Sequence, residues 1–145
     1  MLIIGCDHAG YALKCEVIKF LDEIGEKYDD FGCNGERAEY PLIAKSVCDA
    51  VISGKSPKAI LICGTGIGIS MAANKVKGIR AAVCSDTYTA KFTRLHNDAN
   101  VLCMGGRVIG AGVACEIVDM FLKTEFEGGR HQARIDMIEK IENEQ

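Results

Sequence analysis

Ala59-Ile60-Leu61-Ile62-Cys63-Gly64-Thr65-Gly66-Ile67-Gly68-Ile69-Ser70 is the stretch on which the fold turns. Its first five residues are apolar, too short a run for an ordinary helix, and read as a strand buried on both faces. The glycines that follow mark a tight turn, and a helix is expected from Gly66 to Val76. Outward from there the same alternation repeats. Leu2 to Cys6, Ile79 to Cys84 and Val101 to Cys103 are further short apolar runs. Between them, Leu13, Val17, Phe20, Leu21 and Ile24 recur at helical spacing before Gly25. Leu42, Ile43, Val47, Ala50 and Val51 do so after Pro41, which suits a first helical turn. Further helices are expected over Thr87 to His96, around Val113, Ile117, Val118 and Phe121, and over about 129–143. Strands alternating with helices predict a single α/β domain over 1–145, a three-layer Rossmann-like fold with a parallel sheet covered by helices on both faces.

Composition agrees with one compact domain. The chain has 145 residues, 48% of them hydrophobic, which is enough for a sizeable core. Its 17 Lys and Arg against 20 Asp and Glu leave a net charge of −3, the wrong sign for a nucleic-acid partner. No apolar run approaches the roughly 18 residues of a membrane span. The apolar start at Met1-Leu2-Ile3-Ile4 lacks the basic segment of a signal peptide, so a cytoplasmic protein is expected. In that compartment the eight cysteines are expected as thiols, with Cys6, Cys84 and Cys103 as small buried residues.

In doubly wound folds ligands sit beyond the carboxyl ends of the strands. That rule selects Asp7-His8-Ala9-Gly10, Cys63-Gly64-Thr65-Gly66-Ile67-Gly68, Ser85-Asp86 and Gly105-Gly106-Arg107. Glycines after Cys63 let the backbone approach a ligand, and amides at a helix start favour an anion. The same amides favour the thiolate of Cys63, a candidate base or nucleophile. Gly64-x-Gly66 with Asp86 also raises a non-catalytic nucleotide-binding module, but the third glycine of a dinucleotide fingerprint falls at Ile69, and no Gly-Lys-Ser/Thr supports a P-loop. Asp7, His8 and His96 offer proton donors and acceptors near neutral pH. They lack the spacing of a metal motif, and no metal is expected. Arg130 and Arg134 lie one helical turn apart, on a stripe continued by Met137 and Ile141 that is expected to pack. Converging with Arg107, they suit a phosphate.

Gly5-Cys6-Asp7-His8-Ala9-Gly10, Tyr40-Pro41, Cys63-Gly64-Thr65-Gly66-Ile67-Gly68, Ala72-Ala73-Asn74-Lys75, His96-Asn97-Asp98-Ala99-Asn100 and Gly105-Gly106-Arg107 together resemble the type B ribose-5-phosphate isomerases, a family that includes allose-6-phosphate and galactose-6-phosphate isomerases. The resemblance runs in order along essentially the whole chain. It implies that Cys63 moves a proton between C1 and C2 of an open-chain sugar. A second branch uses a glutamate where this chain has Ile69. It implies that Thr65 assists transfer at the sugar oxygens, and that the amides of Gly64, Gly66, Ile67, Gly68 and Ser70 hold the enediolate. His96 would open the ring, with Asp7 in the same role or positioning the sugar, Tyr40 and Asn97 would contact the sugar, and His8, Arg107, Arg130 and Arg134 would bind the phosphate. It further implies a homodimer or tetramer with shared sites, in which the last helix packs on a partner subunit. The implied reaction interconverts ribose 5-phosphate and ribulose 5-phosphate without a cofactor, with the six-carbon phosphates as alternatives.

Overall fold

The computed structural model describes residues 1–145. Five strands, β1 (Leu2–Cys6), β2 (Tyr28–Asp30), β3 (Ala59–Cys63), β4 (Ala81–Val83) and β5 (Val101–Gly105), form one parallel sheet in the order β2-β1-β3-β5-β4. Every residue of β1, β3 and β5 is buried, as befits inner strands covered on both faces. The side chains of Ile4, Cys6, Ile60, Ile62, Leu102 and Met104 pack with helices α1 (Tyr11–Ile24), α4 (Thr87–Asn97) and α5 (Ala111–Lys123). Alternate residues Ile3, Leu61, Cys63, Val101 and Cys103 pack with α2 (Tyr40–Ile52) and α3 (Ile67–Ala73) on the opposite face. The result is the three-layer α/β architecture the alternation implies.

Local chemistry fixes the element ends. Gly25, at φ 75°, closes α1 with its N–H donated back to the Leu21 and Asp22 carbonyls. Pro41 occupies the first turn of α2. The Asp86 carboxylate accepts from Thr89 N at 2.7 Å and caps α4. That carboxylate is committed to the helix and is not the free ribose-binding acid of the nucleotide alternative. α3 is shorter than the expected Gly66 to Val76. Asn74 ends it and turns its side chain to the Ala81 backbone, accepting at 2.8 Å and donating at 3.0 Å, which fastens the helix to β4.

The largest departure concerns α6 (Arg130–Asn143). Its buried residues are His131 and Ile135, while Arg130, Arg134, Met137 and Ile141 are exposed. Arg130, Arg134 and Met137 of the stripe expected to pack therefore face away from their own chain, and Ile141 only edges a cavity. Two overlapping stripes one residue apart, about 100° around the helix, compete for the single face that α4 can cover.

Candidate active site

The sheet order reverses between β1 and β3, and a pocket of about 400 Å³ opens there. It is lined by Asp7, His8, Ala9, Ala38, Glu39, Tyr40, Cys63, Gly64, Thr65, Gly68 and Arg107. The Cys63 thiol, 4% exposed, ends β3 and accepts from Gly66 N at 3.1 Å. Gly66 takes φ 81°, and a Cβ there would stand 2.8 Å from the Met104 carbonyl carbon, so only glycine sets that donor under the sulfur. Thr65 Oγ1 accepts from Ile67 N at 3.2 Å, leaving its hydroxyl hydrogen free for the pocket. Ser70 turns its hydroxyl inward to the Ile67 carbonyl at 2.6 Å and donates its N–H to the Gly66 carbonyl at 3.3 Å, so both of its donors are spent within the chain.

Asp7 caps the short turn after β1, accepting from Ala9 N and Gly10 N at 3.0 and 3.1 Å. His8 follows it at the pocket wall, where its Nδ1 accepts from Ala38 N at 3.3 Å. Arg107 leaves β5 by the Gly105-Gly106 turn. Its backbone N–H donates to Gly64 O at 3.0 Å, and its guanidinium lies beside Gly64. One end of the pocket thus holds a thiol, a hydroxyl and a carboxylate, and its walls carry an imidazole and a guanidinium. Burial pushes Cys6 and Cys48 up to about 12, and Cys103 also well above its ordinary value.

The remaining sequence candidates lie elsewhere in the chain. His96, on the last turn of α4, stacks on His131 with ring centroids 4.0 Å apart, and its Nε2 is 3.7 Å from Glu127 Oε2. Asn97 lines a larger cavity of about 670 Å³ with Lys75, Arg80, Ile138 and Ile141. That cavity holds no thiol, hydroxyl or imidazole side chain, so size does not make it the reaction site. Arg130 and Arg134 are exposed on α6 and do not join Arg107 within one chain. Asp7 and His8 likewise do not meet His96. Sequence reasoning passed over Ala38 and Glu39, which precede the helix start at Tyr40-Pro41 and carry no motif of their own. It also passed over Glu127 and His131, whose proximity to His96 depends on how α6 docks.

A doubly wound α/β fold with a strand-end thiol on a backbone amide, and a guanidinium in the same pocket, defines a class of protein that handles small anionic substrates by proton transfer. Known proteins narrow the class. The sequence profile of the ribose/galactose isomerase family matches residues 2–138, and the chain belongs to this family. It is 50% identical over 142 residues to ribose-5-phosphate isomerase B of Escherichia coli, covering 97% of this chain and 95% of that protein. Ribose-5-phosphate isomerase B of Clostridium thermocellum superposes with a TM-score of 0.96 at 51% identity, covering 99% of both chains. The Mycoplasma genitalium enzyme, solved with bound ribulose 5-phosphate, superposes with a TM-score of 0.93 at 44% identity, covering 99% of this chain and 97% of that one.

Proposed function

We propose that this chain interconverts D-ribose 5-phosphate and D-ribulose 5-phosphate through a cis-enediolate, with Cys63 as the base. The observation that carries the reading is the Cys63 sulfur at the pocket end of β3 with a backbone donor on it and Thr65 and Asp7 on the same rim. Family membership and half-identical relatives that carry this activity support it.

The reaction needs three things. A base must shuttle a proton between C2 of the aldose and C1 of the ketose. Donors must meet the oxyanion as charge develops. The hemiacetal ring must open first. Cys63 meets the first need, and the Gly66 amide that donates to its sulfur stabilises the charged form. Within the loop the amides of Gly66, Ile67 and Ser70 are taken by the Cys63 sulfur, the Thr65 hydroxyl and the Gly66 carbonyl, so Gly64 and Gly68 supply the amides to the enediolate, with the Thr65 hydroxyl moving the proton between O1 and O2. Asp7 opens the ring together with His96. His8 and Arg107 hold the phosphate, whose distance from the reacting carbons turns binding energy into orientation.

Within one chain His96, Asn97, Arg130 and Arg134 stand apart from this pocket, and so a homodimer completes it. A partner brings its His96 and Asn97 to the sugar and its two arginines to the phosphate. Exposed Leu42, Ile67 and Met71 on α2 and α3, and Tyr88, Met137 and Ile141 on α4 and α6, give each copy apolar surface suited to the contact. A small phosphorylated substrate and thiols kept reduced fit a cytoplasmic setting.

The test is turnover with paired variants. Cys63→Ala should lower kcat by at least about 10³-fold while inorganic phosphate still binds. His96→Asn should also be deficient. Reassembled from a one-to-one mixture of the two variants, the protein should regain about a quarter of wild-type activity, because half the assemblies hold one intact composite site. A mixture that stays inactive places each site within a single chain. Dominant kcat/KM on allose 6-phosphate or galactose 6-phosphate would move the substrate to six carbons.

A further inference from the structure

Outside the thiol pocket, one place gathers three metal-ligating side chains. Where α6 docks on α4, His96, Glu127 and His131 bring ligand atoms within 4.8 Å of one another. The chain builds this arrangement from its backbone. Glu127 N donates to Leu95 O at 3.0 Å, which ties the segment before α6 to the end of α4. Gly128 and Gly129, at φ 72° and 58°, then reverse the chain so that His131 lands over His96. The two imidazole planes are 12° apart, and both Nε2 atoms face the Glu127 carboxylate, at 3.7 and 4.0 Å.

A second feature is independent of the clustering. His131 Nε2 is a fully buried polar atom with no hydrogen-bond partner, on a side chain only 5% exposed. An orphaned buried nitrogen costs stability unless something meets it.

We propose that His96, Glu127 and His131 form a binding site for a borderline divalent transition-metal ion of the zinc class, and that its occupation takes His96 out of proton transfer. Two imidazoles and a carboxylate select zinc, cobalt or nickel over magnesium or calcium, which prefer oxygen ligands. Bonds of about 2.0–2.2 Å in a tetrahedral site put ligand atoms roughly 3.4 Å apart. The exposed Glu127 side chain can swing in and the half-buried His96 ring can shift to reach that spacing, while buried His131 stays as the anchor. The fourth corner remains open for water. The ion is an inhibitor in this arrangement, because the His96 lone pair that would accept the ring-opening proton is given to the metal. This second half rests on the isomerase reading; the site itself does not.

Titration of the metal-free full-length protein with Co²⁺ tests the site directly. The expected result is a visible d–d spectrum saturating at one ion per chain, displaced by Zn²⁺, without the near-ultraviolet band that a thiolate ligand adds. Glu127→Gln, at an exposed position that leaves the core untouched, should weaken binding at least about tenfold, as should His131→Gln where it folds. No visible spectrum, a thiolate band, or unchanged affinity in Glu127→Gln overturns the proposal. Zn²⁺ should then reduce wild-type turnover at concentrations about tenfold below those needed for Glu127→Gln. Cobalt binding as expected with no loss of turnover would keep the site and remove His96 from the ring-opening role. Normal isomerisation with no metal binding would do the reverse.

Discussion

Two glycines in one loop make opposite demands on a side chain. At Gly66 the left-handed backbone and the Met104 carbonyl, 2.8 Å from a new Cβ, leave nothing that can yield. Gly66→Ala should therefore cost more than about 2 kcal/mol of stability and most of the activity, because the donor to the Cys63 sulfur moves with the backbone. At Gly68 a new Cβ would meet the tip of the Tyr40 ring at 2.7 Å, and that ring is 38% exposed and free to swing. Gly68→Ala should change stability by less than about 0.5 kcal/mol and raise KM, since Tyr40 lines the sugar pocket. Urea unfolding and steady-state kinetics on the two variants separate the effects. Equal loss of stability in both would show that the loop is strained as a unit and that Tyr40 is not the yielding partner.

At the scale of elements, the sheet was legible where a strand falls within an apolar run, the edge strand β4 inside Ile79 to Cys84 included, and illegible at β2. β1, β3 and β5 announce themselves as apolar runs because both faces are covered. β2 is Tyr28-Asp29-Asp30, a polar edge strand pairing with β1 alone, and no periodicity marks three such residues. What holds it is a charge. Lys14 on α1, 1% exposed, donates to Asp30 Oδ1 at 2.7 Å and to the Cys33 carbonyl at 2.6 Å. The thiol pocket was readable because strand-end loops carry polar residues on an apolar chain. The positions of His96, Arg130 and Arg134 relative to it were not, because they depend on which stripe of α6 is buried and on contacts between chains. Asp30→Ala leaves the Lys14 ammonium buried with one carbonyl and should cost about 2–3 kcal/mol. Lys14→Met added to it should restore most of that loss, since no unpaired charge remains. A double variant as unstable as the single one would show that Asp30 acts through the Gly32 amide, which it also accepts from at 2.8 Å, and not through the lysine.

The whole molecule has a pH signature written mainly by its cysteines. Burial raises Cys6 and Cys48 from an ordinary value near 9 to about 12, and raises Cys84 and Cys103 in the same direction. In the unfolded chain these thiols ionise from about pH 9, while in the folded chain they keep their protons. The unfolded state then binds fewer protons, so the stability they contribute is complete below pH 9 and is lost as pH climbs toward 12. Cys6 and Cys48 each contribute a slope of about 1.4 kcal/mol per pH unit over that interval, and Cys84 and Cys103 act in the same direction. Lys58, whose pKa burial lowers, works in the opposite sense up to about its ordinary 10.5, but one ammonium does not cancel several thiols. On the acid side, burial lowers His131, so the unfolded chain takes up that proton first and stability falls as pH drops below its ordinary 6.5. Urea midpoints measured under reducing conditions should therefore be level between about pH 7 and 9 and fall steeply above 9. Cys48→Ala, whatever its cost at neutral pH, should flatten the alkaline limb by one thiol's slope. An alkaline limb unchanged in that variant would mean that Cys48 ionises as readily folded as unfolded, and that the face of the sheet packed by α2 is open to water.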